Sequence, residues 1–294
     1  MIQIIIALYD LFNLKLFRKP VSLFSTYFLI FWFYFFKKKN SKTQTNENLI
    51  VSLTTFPERI SKVHLTIESI MRQTVRPKYV YLWLAKSQFK SIEILPSSLL
   101  KLKDLGLKIK FCDEDIRSHK KYYYALKMND DKIIITVDDD YIYNKNLISE
   151  LLILYNKNTN SVCCNLANNI LCNKSGFLPY KKWTKVNFSK PSKRILAIGA
   201  GGILYPPGVM HKEVLNKDVF MELCPLADDL WLNAMTLLNN RTVIKTERTI
   251  KNLPIFYLVN KNLTTENVAH GKNDTQIKSL KDYLTKNFSN PYLI

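Results

Sequence analysis

Short apolar runs alternate with helix-patterned segments along the first half of the chain. The runs have the length and the β-branched and aromatic content of strands, and they cover 49–53, 79–84, 107–112 and 132–137. The segments between them carry apolar residues at helical spacing or a helix-start signal, and they cover 60–73, 96–106, 116–128 and 146–155. Uninterrupted apolar strands separated by helices predict an α/β fold, with a mostly parallel sheet flanked by helices.

The pattern is looser after residue 157. Strand-like runs cover 162–172 and 195–205, and a basic, aromatic stretch at 177–194 is typical of a loop. A helix is predicted over 227–238, followed by a short strand at 243–244. In open parallel sheets, ligands bind beyond the carboxyl ends of the strands, so polar residues that follow a strand are the first candidates for a site.

The first 45 residues differ from the rest of the chain. Residues 21–36 are uncharged and rich in Phe, Tyr, Leu and Trp, with basic residues before and after them. Sixteen residues is short for a membrane-spanning helix, and the same composition suits a helix that lies in the membrane interface. We therefore predict a membrane-associating helical segment over 1–45, either spanning or flat, and one domain over 46–294. The alternative is a helix that packs on the domain's own surface.

Charge and cysteine content narrow the function classes. The 294 residues carry a formal charge of +19, which attracts polyanions such as nucleic acid, an anionic membrane or phosphorylated substrates. Residues 1–45 hold seven basic residues and one acidic residue. The five cysteines form no C-x-x-C pair, which favours reduced, buried thiols over a zinc site or disulfides. No recognisable nucleic-acid motif is present, so we expect no nucleic-acid partner.

The strongest candidate for chemistry is the triplet Asp138, Asp139 and Asp140, directly after the apolar run 132–137. Three adjacent carboxylates are costly unless a cation or hydrogen-bond donors compensate them. In an extended chain, Asp138 and Asp140 would point to one side and Asp139 to the other. Such a pair of hard oxygen ligands suits Mg²⁺ or Mn²⁺ together with substrate phosphates.

Two further motifs follow. Glycine is scarce, with 7 in the chain, yet four glycines lie within 199–208, including Gly201 and Gly202. This clustering indicates close backbone approach to a ligand, with a bulged strand as the alternative. Asp228 and Asp229 stand at the predicted start of the helix over 227–238. Capping explains one of them, and a second carboxylate there is a candidate general base.

Five segments in this order resemble the bacterial glycosyltransferases of the GT-A fold, which is Rossmann-like and acts on cell-surface polysaccharides. They are S-L-T-T-F-P-E-R-I at 52–60, D-E-D-I-R-S-H-K-K-Y-Y-Y-A-L at 113–126, I-I-I-T-V-D-D-D-Y-I-Y at 133–143, G-G-I-L-Y-P-P-G at 201–208 and A-D-D-L-W-L-N-A-M at 227–235. The resemblance implies a nucleotide-sugar donor, most simply UDP-linked, and a glycan or lipid-linked acceptor. It also implies a membrane-associated bacterial enzyme whose catalytic domain faces the cytoplasm.

The resemblance also implies roles for individual residues. Asp138 and Asp140 would bind Mn²⁺ or Mg²⁺, and His270 would complete the metal site. Asp229 would be the base of an inverting transfer, with Asp228 as the fallback. The residues beside the donor would be Thr54, Thr55, Arg59, Asp113, Asp115, Lys120, Lys121, Asp138, Asp139, Gly201 and Gly202. This chain has Ala-Asp-Asp where many inverting relatives carry Glu-Asp.

Two other functions stay open at this stage. A nucleotidyl- or phosphotransferase would use the same metal site. A basic, membrane-tethered protein that binds polyanions without catalysis would account for the charge and the N-terminal segment, but not for carboxylates at the ligand edge of a sheet. The resemblance leaves a retaining mechanism open as well.

Overall fold

The computed structural model describes residues 44–174, 176–257 and 271–288, together with Leu23, Phe24 and Phe28. The strands of these ranges are, in chain order, β1 (Thr45–Thr54), β2 (Arg76–Ala85), β3 (Leu107–Cys112), β4 (Ile133–Thr136), β5 (Tyr141–Ile142), β6 (Ser161–Cys164), β7 (Ala167–Asn169), β8 (Cys172–Asn173), β9 (Gly176–Phe177), β10 (Ile195–Ala197), β11 (Ile203–Tyr205), β12 (Thr242–Lys245) and β13 (Leu253–Pro254).

Helices lie between most of the longer strands. The α-helices are α1 (Val63–Met71), α2 (Ser97–Leu100), α3 (Lys120–Met128), α4 (Leu147–Lys157), α5 (Lys217–Leu223), α6 (Asp228–Leu238) and α7 (Lys272–Phe288). Short 3₁₀ helices cover Pro57–Arg59, Lys101–Leu105, Arg117–His119, Tyr180–Lys182, Gly199–Gly201 and Lys212–Leu215. The predicted α/β class is therefore confirmed.

The chain divides into two units, and the first contains the described residues 44–114, 138–150 and 250–257. Its strands β1, β2 and β3 pair in parallel, in the order β1–β2–β3. Residues 49–53 of β1 and 80–85 of β2 are buried, as expected for strands covered on both faces. Helix α1 packs on β2 and buries its apolar stripe, which includes Leu65, Ile67 and Ile70.

The second unit contains the described residues 115–137, 151–174, 176–249 and 271–288. Strand β12 pairs in parallel with β6, whereas β11 runs antiparallel to both β6 and β4. Helix α6 packs on β10, β12 and α7, and its Trp231 is fully buried against Phe220. The antiparallel strand β11 interrupts the parallel pattern that the sequence predicts.

The regular first half of the chain matches the predicted elements within a few residues. In the second half, the predicted helix 227–238 and strand 243–244 are present as α6 and β12, whereas two predicted runs are divided. The run 195–205 forms two short strands separated by the 3₁₀ turn Gly199–Gly201, and 162–172 also divides into short strands. The five cysteines are free, as expected for reduced thiols. Among the helices of the described ranges, none is long and apolar enough to cross a membrane. The proposed membrane segment lies outside those ranges, apart from the three residues named above, and stays a prediction.

Candidate functional site

The acidic triplet lies in the first unit and follows β4, which ends at Thr136. Asp139 and Asp140 form a turn, so the expectation of an extended chain with alternating side chains is wrong. Asp139 is only 6% exposed, whereas Asp138 and Asp140 are half-buried. In this turn, one carboxylate is therefore enclosed by the protein, and the other two remain accessible.

Arg59 is the counter-ion of this turn. Its guanidinium Nη1 lies 2.6 Å from Asp139 Oδ1 and 2.9 Å from Asp140 Oδ2. The rings of Phe56 and Tyr257 flank the guanidinium, with their centres 5.1 and 5.4 Å from its central carbon. Burial alone would lower the pKa of Arg59, but the two carboxylates outweigh it and raise that pKa. The arginine is a fixed positive charge held by aromatic faces on both sides.

Two threonines complete the enclosure of Asp139. Thr55 Oγ1 donates a hydrogen bond to Asp139 Oδ2 at 2.5 Å. Thr66 Oγ1 lies 3.0 Å from the main-chain oxygen of Asp139 and 2.8 Å from that of Tyr141. Burial raises the pKa of Asp139, although Arg59 and Thr55 both favour its charged form. Asp139 therefore holds the shape of the turn and is not free to bind a ligand.

Asp140 is the carboxylate of the turn that has an oxygen available to a ligand. Its Oδ1 is buried and has no hydrogen-bond partner among the described residues. Burial, and then the negative charge of Asp139, raise the pKa of Asp140 to about 7. Arg59 supplies one positive charge against the three carboxylates, so an excess of negative charge remains at the turn.

This environment fits a divalent cation. Asp138 and Asp140 offer hard oxygen ligands, and a metal of charge +2 would neutralise the excess negative charge. No group of three or more His, Cys, Asp or Glu side chains in the described ranges has the arrangement of a complete metal cage. Two carboxylates with substrate phosphate and water are the usual ligand set of Mg²⁺. His270, the expected third protein ligand, lies outside the described residues and stays a prediction.

Two other candidates of the first unit make local contacts. Thr54 Oγ1 donates to the main-chain oxygen of Trp83 at 2.9 Å, which ties β1 to β2. Asp113 pairs with Lys86 at 2.5 Å, and both side chains are well exposed. These contacts do not involve the acidic turn, and Asp113 is exposed to a ligand at the end of β3.

In the second unit, the two lysines that were predicted beside the donor have carboxylate partners. Lys121 Nζ lies 3.0 Å from Asp228 Oδ2, with both side chains buried. Burial would raise the pKa of Asp228, but Lys121 and His119 outweigh it and lower that pKa. Lys120 forms an ion pair with Asp115. The side chain of Asp228 is therefore committed to an ion pair, which makes it the weaker candidate for a base.

Asp229 and the glycine cluster meet in the same unit. The main-chain N–H of Gly199 donates to Asp229 Oδ2 at 2.9 Å. Asp229 is in the first turn of α6, where the helix dipole favours a negative charge. A Cβ on Gly201 would lie 2.8 Å from atoms of Leu166, and Gly202 has φ = 88°, so side chains are poorly tolerated at both positions. The second and third sequence motifs thus form one local structure.

Some residues of the site were missed at the level of sequence. Asn165 is completely buried after β6, and its Nδ2 lies 3.3 Å from the main-chain oxygen of Gly201. Thr246 Oγ1 donates to Asn165 Oδ1 at 3.3 Å. A polar residue directly after an apolar strand was the signal for Asn165. Tyr257, which contacts Arg59, had no such signal because the two are far apart in sequence.

Comparison with known proteins gives matches for this chain in structure but not in sequence. No family model matches it, and no curated protein matches it. Solved structures similar to it include S. aureus TarS 1-349, with 16% identity over 84% of this chain and 72% of that chain and a TM-score of 0.44. The same protein in complex with UDP-GlcNAc gives a TM-score of 0.43, with 16% identity over 84% of this chain and 73% of that chain.

A UDP-glucose pyrophosphorylase from Acinetobacter baumanii is similar as well, with 10% identity over 82% of this chain and 94% of that chain and a TM-score of 0.45. At such identities and TM-scores, these structures assign no ligand and no reaction to this chain.

Proposed function

We propose that this chain is a metal-dependent glycosyltransferase. It moves a sugar from a UDP-sugar donor to a hydroxyl of a glycan or glycolipid acceptor, with inversion, in bacterial cell-surface polysaccharide synthesis at the cytoplasmic side of the membrane. The observation that carries the proposal is the acidic turn, where Arg59 and Thr55 engage Asp139, and the buried Asp140 Oδ1 has no hydrogen-bond partner among the described residues.

In this proposal, Asp138 and Asp140 hold Mn²⁺ or Mg²⁺. The metal supplies charge stabilisation for the diphosphate that leaves as the sugar–oxygen bond breaks. Arg59 and Thr55 keep the turn in shape by fixing Asp139. Because the fold itself supplies these contacts, the turn is preorganised for the donor, and preorganisation favours catalysis.

The remaining donor contacts follow the sequence motifs. We propose that Thr54 and Asp113, at the carboxyl ends of β1 and β3, lie beside the nucleotide. In the other unit, Asp115, Lys120 and Lys121 supply polar contacts near the donor as a paired network. From the sequence motif, we propose that Gly201 and Gly202 lie beside the sugar of the donor.

Asp229 is the proposed general base for the acceptor hydroxyl. The Gly199 N–H and the helix start both stabilise its ionised form, which is the form that accepts a proton. Asp228 is less suited because Lys121 already occupies its carboxylate. Asp229 removes the proton as the acceptor oxygen attacks the sugar carbon, and the nucleoside diphosphate leaves from the opposite side.

The products identify the reaction. The chain is incubated with a panel of UDP-sugars and Mn²⁺, with water or candidate glycans as acceptors or with pyrophosphate, and the released nucleotide is measured. Sugar transfer releases UDP, whereas a nucleotidyltransferase acting on a UDP-sugar and pyrophosphate produces UTP and sugar phosphate. We expect UDP release that stops in EDTA. Release of UTP and sugar phosphate would instead establish the alternative enzyme.

The base assignment is tested by replacing Asp229 with Asn. We expect transfer to fall by roughly 10²- to 10⁴-fold, which is the range for general acid–base catalysis, while donor affinity is preserved. Asp218→Asn is a matched control, since Asp218 also lies in the first turn of a helix of the same unit. Near-wild-type turnover in Asp229→Asn would overturn this role for Asp229.

A further inference from the structure

A second polar feature lies at the opposite ends of the strands of the first unit. The start of β2 and the turn before β3 form a cleft of about 260 Å³, whose lining includes Arg76, Lys78, Tyr79 and Leu105. The acidic turn contacts Thr55, which follows the other end of β1. A strand of ten residues spans roughly 30 Å, so the cleft is well separated from the proposed donor site.

The cleft is net cationic, with Arg76 and Lys78 against Asp104 in its lining, and it has unused donor capacity. Arg76 Nε is buried and has no hydrogen-bond partner among the described residues. A buried donor without an acceptor is costly, which indicates that an external group completes the site. Lys78 and Lys108 place their amines 5.7 and 4.8 Å from the ring centre of Tyr79. The pair between Lys78 and Glu47 is exposed and therefore holds Lys78 only weakly.

An aliphatic side chain stands beside these cations. Leu105 is 56% exposed although it is large and apolar, and it precedes Gly106, whose φ of 107° makes a sharp turn before β3. Basic side chains around exposed aliphatic surface are the composition of sites that lie on anionic bilayers, where amines meet headgroup phosphates and aliphatic groups enter the interface.

The N-terminal segment joins the fold at this same edge. The main-chain N–H of Arg76 donates to the main-chain oxygen of Gln44 at 3.1 Å, and Gln44 is the first residue of the described range 44–174. The 43 residues before it contain the uncharged run 21–36 and its basic flanks. The segment with membrane-like composition is therefore tethered beside the cationic cleft.

We propose that this edge, defined by Arg76, Lys78, Leu105 and Lys108, docks on the anionic headgroups of a lipid bilayer. The inference deepens the membrane association in the proposed function. The acidic turn would then face away from the bilayer, at a distance of roughly the length of a strand. This arrangement suits an acceptor that is the growing end of a glycan better than a first sugar on the lipid itself.

Binding of the full-length chain to vesicles tests the proposal. Phosphatidylcholine vesicles, with and without phosphatidylglycerol, are sedimented with the wild type and with Arg76→Gln/Lys78→Gln. Each cation near an anionic surface contributes about fivefold, so we expect binding to the anionic vesicles to weaken by roughly 10- to 30-fold. The matched control is Lys86→Gln/Lys90→Gln, which removes the same charge at or beyond the other end of β2, and we expect it to bind like the wild type.

A second measurement identifies the face of the first unit that contacts the bilayer, even if residues 1–43 account for most of the vesicle binding. In a Cys172→Ser background, an environment-sensitive dye is attached at Leu105→Cys or at Ile94→Cys. Both positions belong to the first unit and are similarly exposed, at 56% and 60%. We expect a blue shift on anionic vesicles at position 105 and none at 94. Equal shifts at both positions, or none at 105, would overturn the proposal.

The outcome is separable from the proposed enzyme function. Stabilisation of the Arg76→Gln/Lys78→Gln variant against heat by UDP and Mn²⁺ is measured in solution, without vesicles. Wild-type stabilisation with weakened vesicle binding supports both proposals. Loss of vesicle binding in the Lys86→Gln/Lys90→Gln control to the same extent would mean that net charge, and not this edge, attracts the bilayer.

Discussion

Replacing Arg59 by Met removes the positive charge from the acidic turn while keeping the aliphatic stem between its aromatic neighbours. Asp139 is then left buried with its ion pair broken, and Asp140 loses the same partner. Breaking a buried ion pair by removing one member costs about 3–5 kcal/mol. Asp140 is 27% exposed, so water screens part of its charge. We therefore expect the free energy of unfolding to fall by about 2–4 kcal/mol.

The assay is urea unfolding at neutral pH in buffer that contains EDTA, so that no metal replaces the missing charge. Arg72→Met is the matched control, because Arg72 pairs with Glu68 within one helix and both side chains are more exposed than Asp139. We expect that control to cost about 1 kcal/mol or less.

A double variant separates the charge from the packing. In Arg59→Met/Asp139→Asn, the uncompensated carboxylate is gone, so we expect at least about 1 kcal/mol of the loss to return. The reasoning would be refuted if Arg59→Met cost no more than Arg72→Met. It would also be refuted if the two changes at the turn were simply additive, since additivity means that the charges do not interact.

Two further predictions concern the second unit. Burial lowers the pKa of His119 to about 4 from the ordinary 6.5, so the stability it contributes is complete above pH 6.5 and is lost as the pH falls toward 4. Between pH 7.5 and 4.5, the free energy of unfolding measured in urea should fall by up to about 3 kcal/mol more in the wild type than in His119→Gln. Parallel pH profiles of the two proteins would contradict this. Gly201→Ala should lower the free energy of unfolding by about 1–3 kcal/mol, because the new Cβ would meet Leu166. The control Gly208→Ala should lower it by about 1 kcal/mol or less, because a Cβ there meets open space and only the positive φ is unfavourable. Equal losses of stability in the thermal unfolding of the two variants would exclude the contact with Leu166 as the cause.

The sequence was most informative where one physical rule governs a segment. Buried parallel strands require continuous apolar runs, and β1 and β2 were visible for that reason. The run 195–205 satisfied the same rule and yet contains a turn, because glycine permits a change of direction that the hydrophobic pattern does not record.

Contacts across long stretches of sequence were not predictable. Arg59 was expected beside the nucleotide, and its ion pairs with Asp139 and Asp140 cross 80 residues or more. The partner of Lys121 was likewise hidden, since Asp228 lies more than 100 residues away in another motif. The motifs named residues of the right chemical type, and only the fold decides which charges neutralise one another.

The central claim is that the acidic turn binds a metal together with the diphosphate of a UDP-sugar. Calorimetry of UDP binding, with Mn²⁺ and then with EDTA, tests it most directly in the wild type, in Asp140→Asn and in the control Asp218→Asn. We predict that UDP affinity falls by roughly a hundredfold or more in EDTA and in Asp140→Asn, and that Asp218→Asn binds like the wild type. Equal UDP affinity with and without the metal, or in Asp140→Asn, would contradict the account.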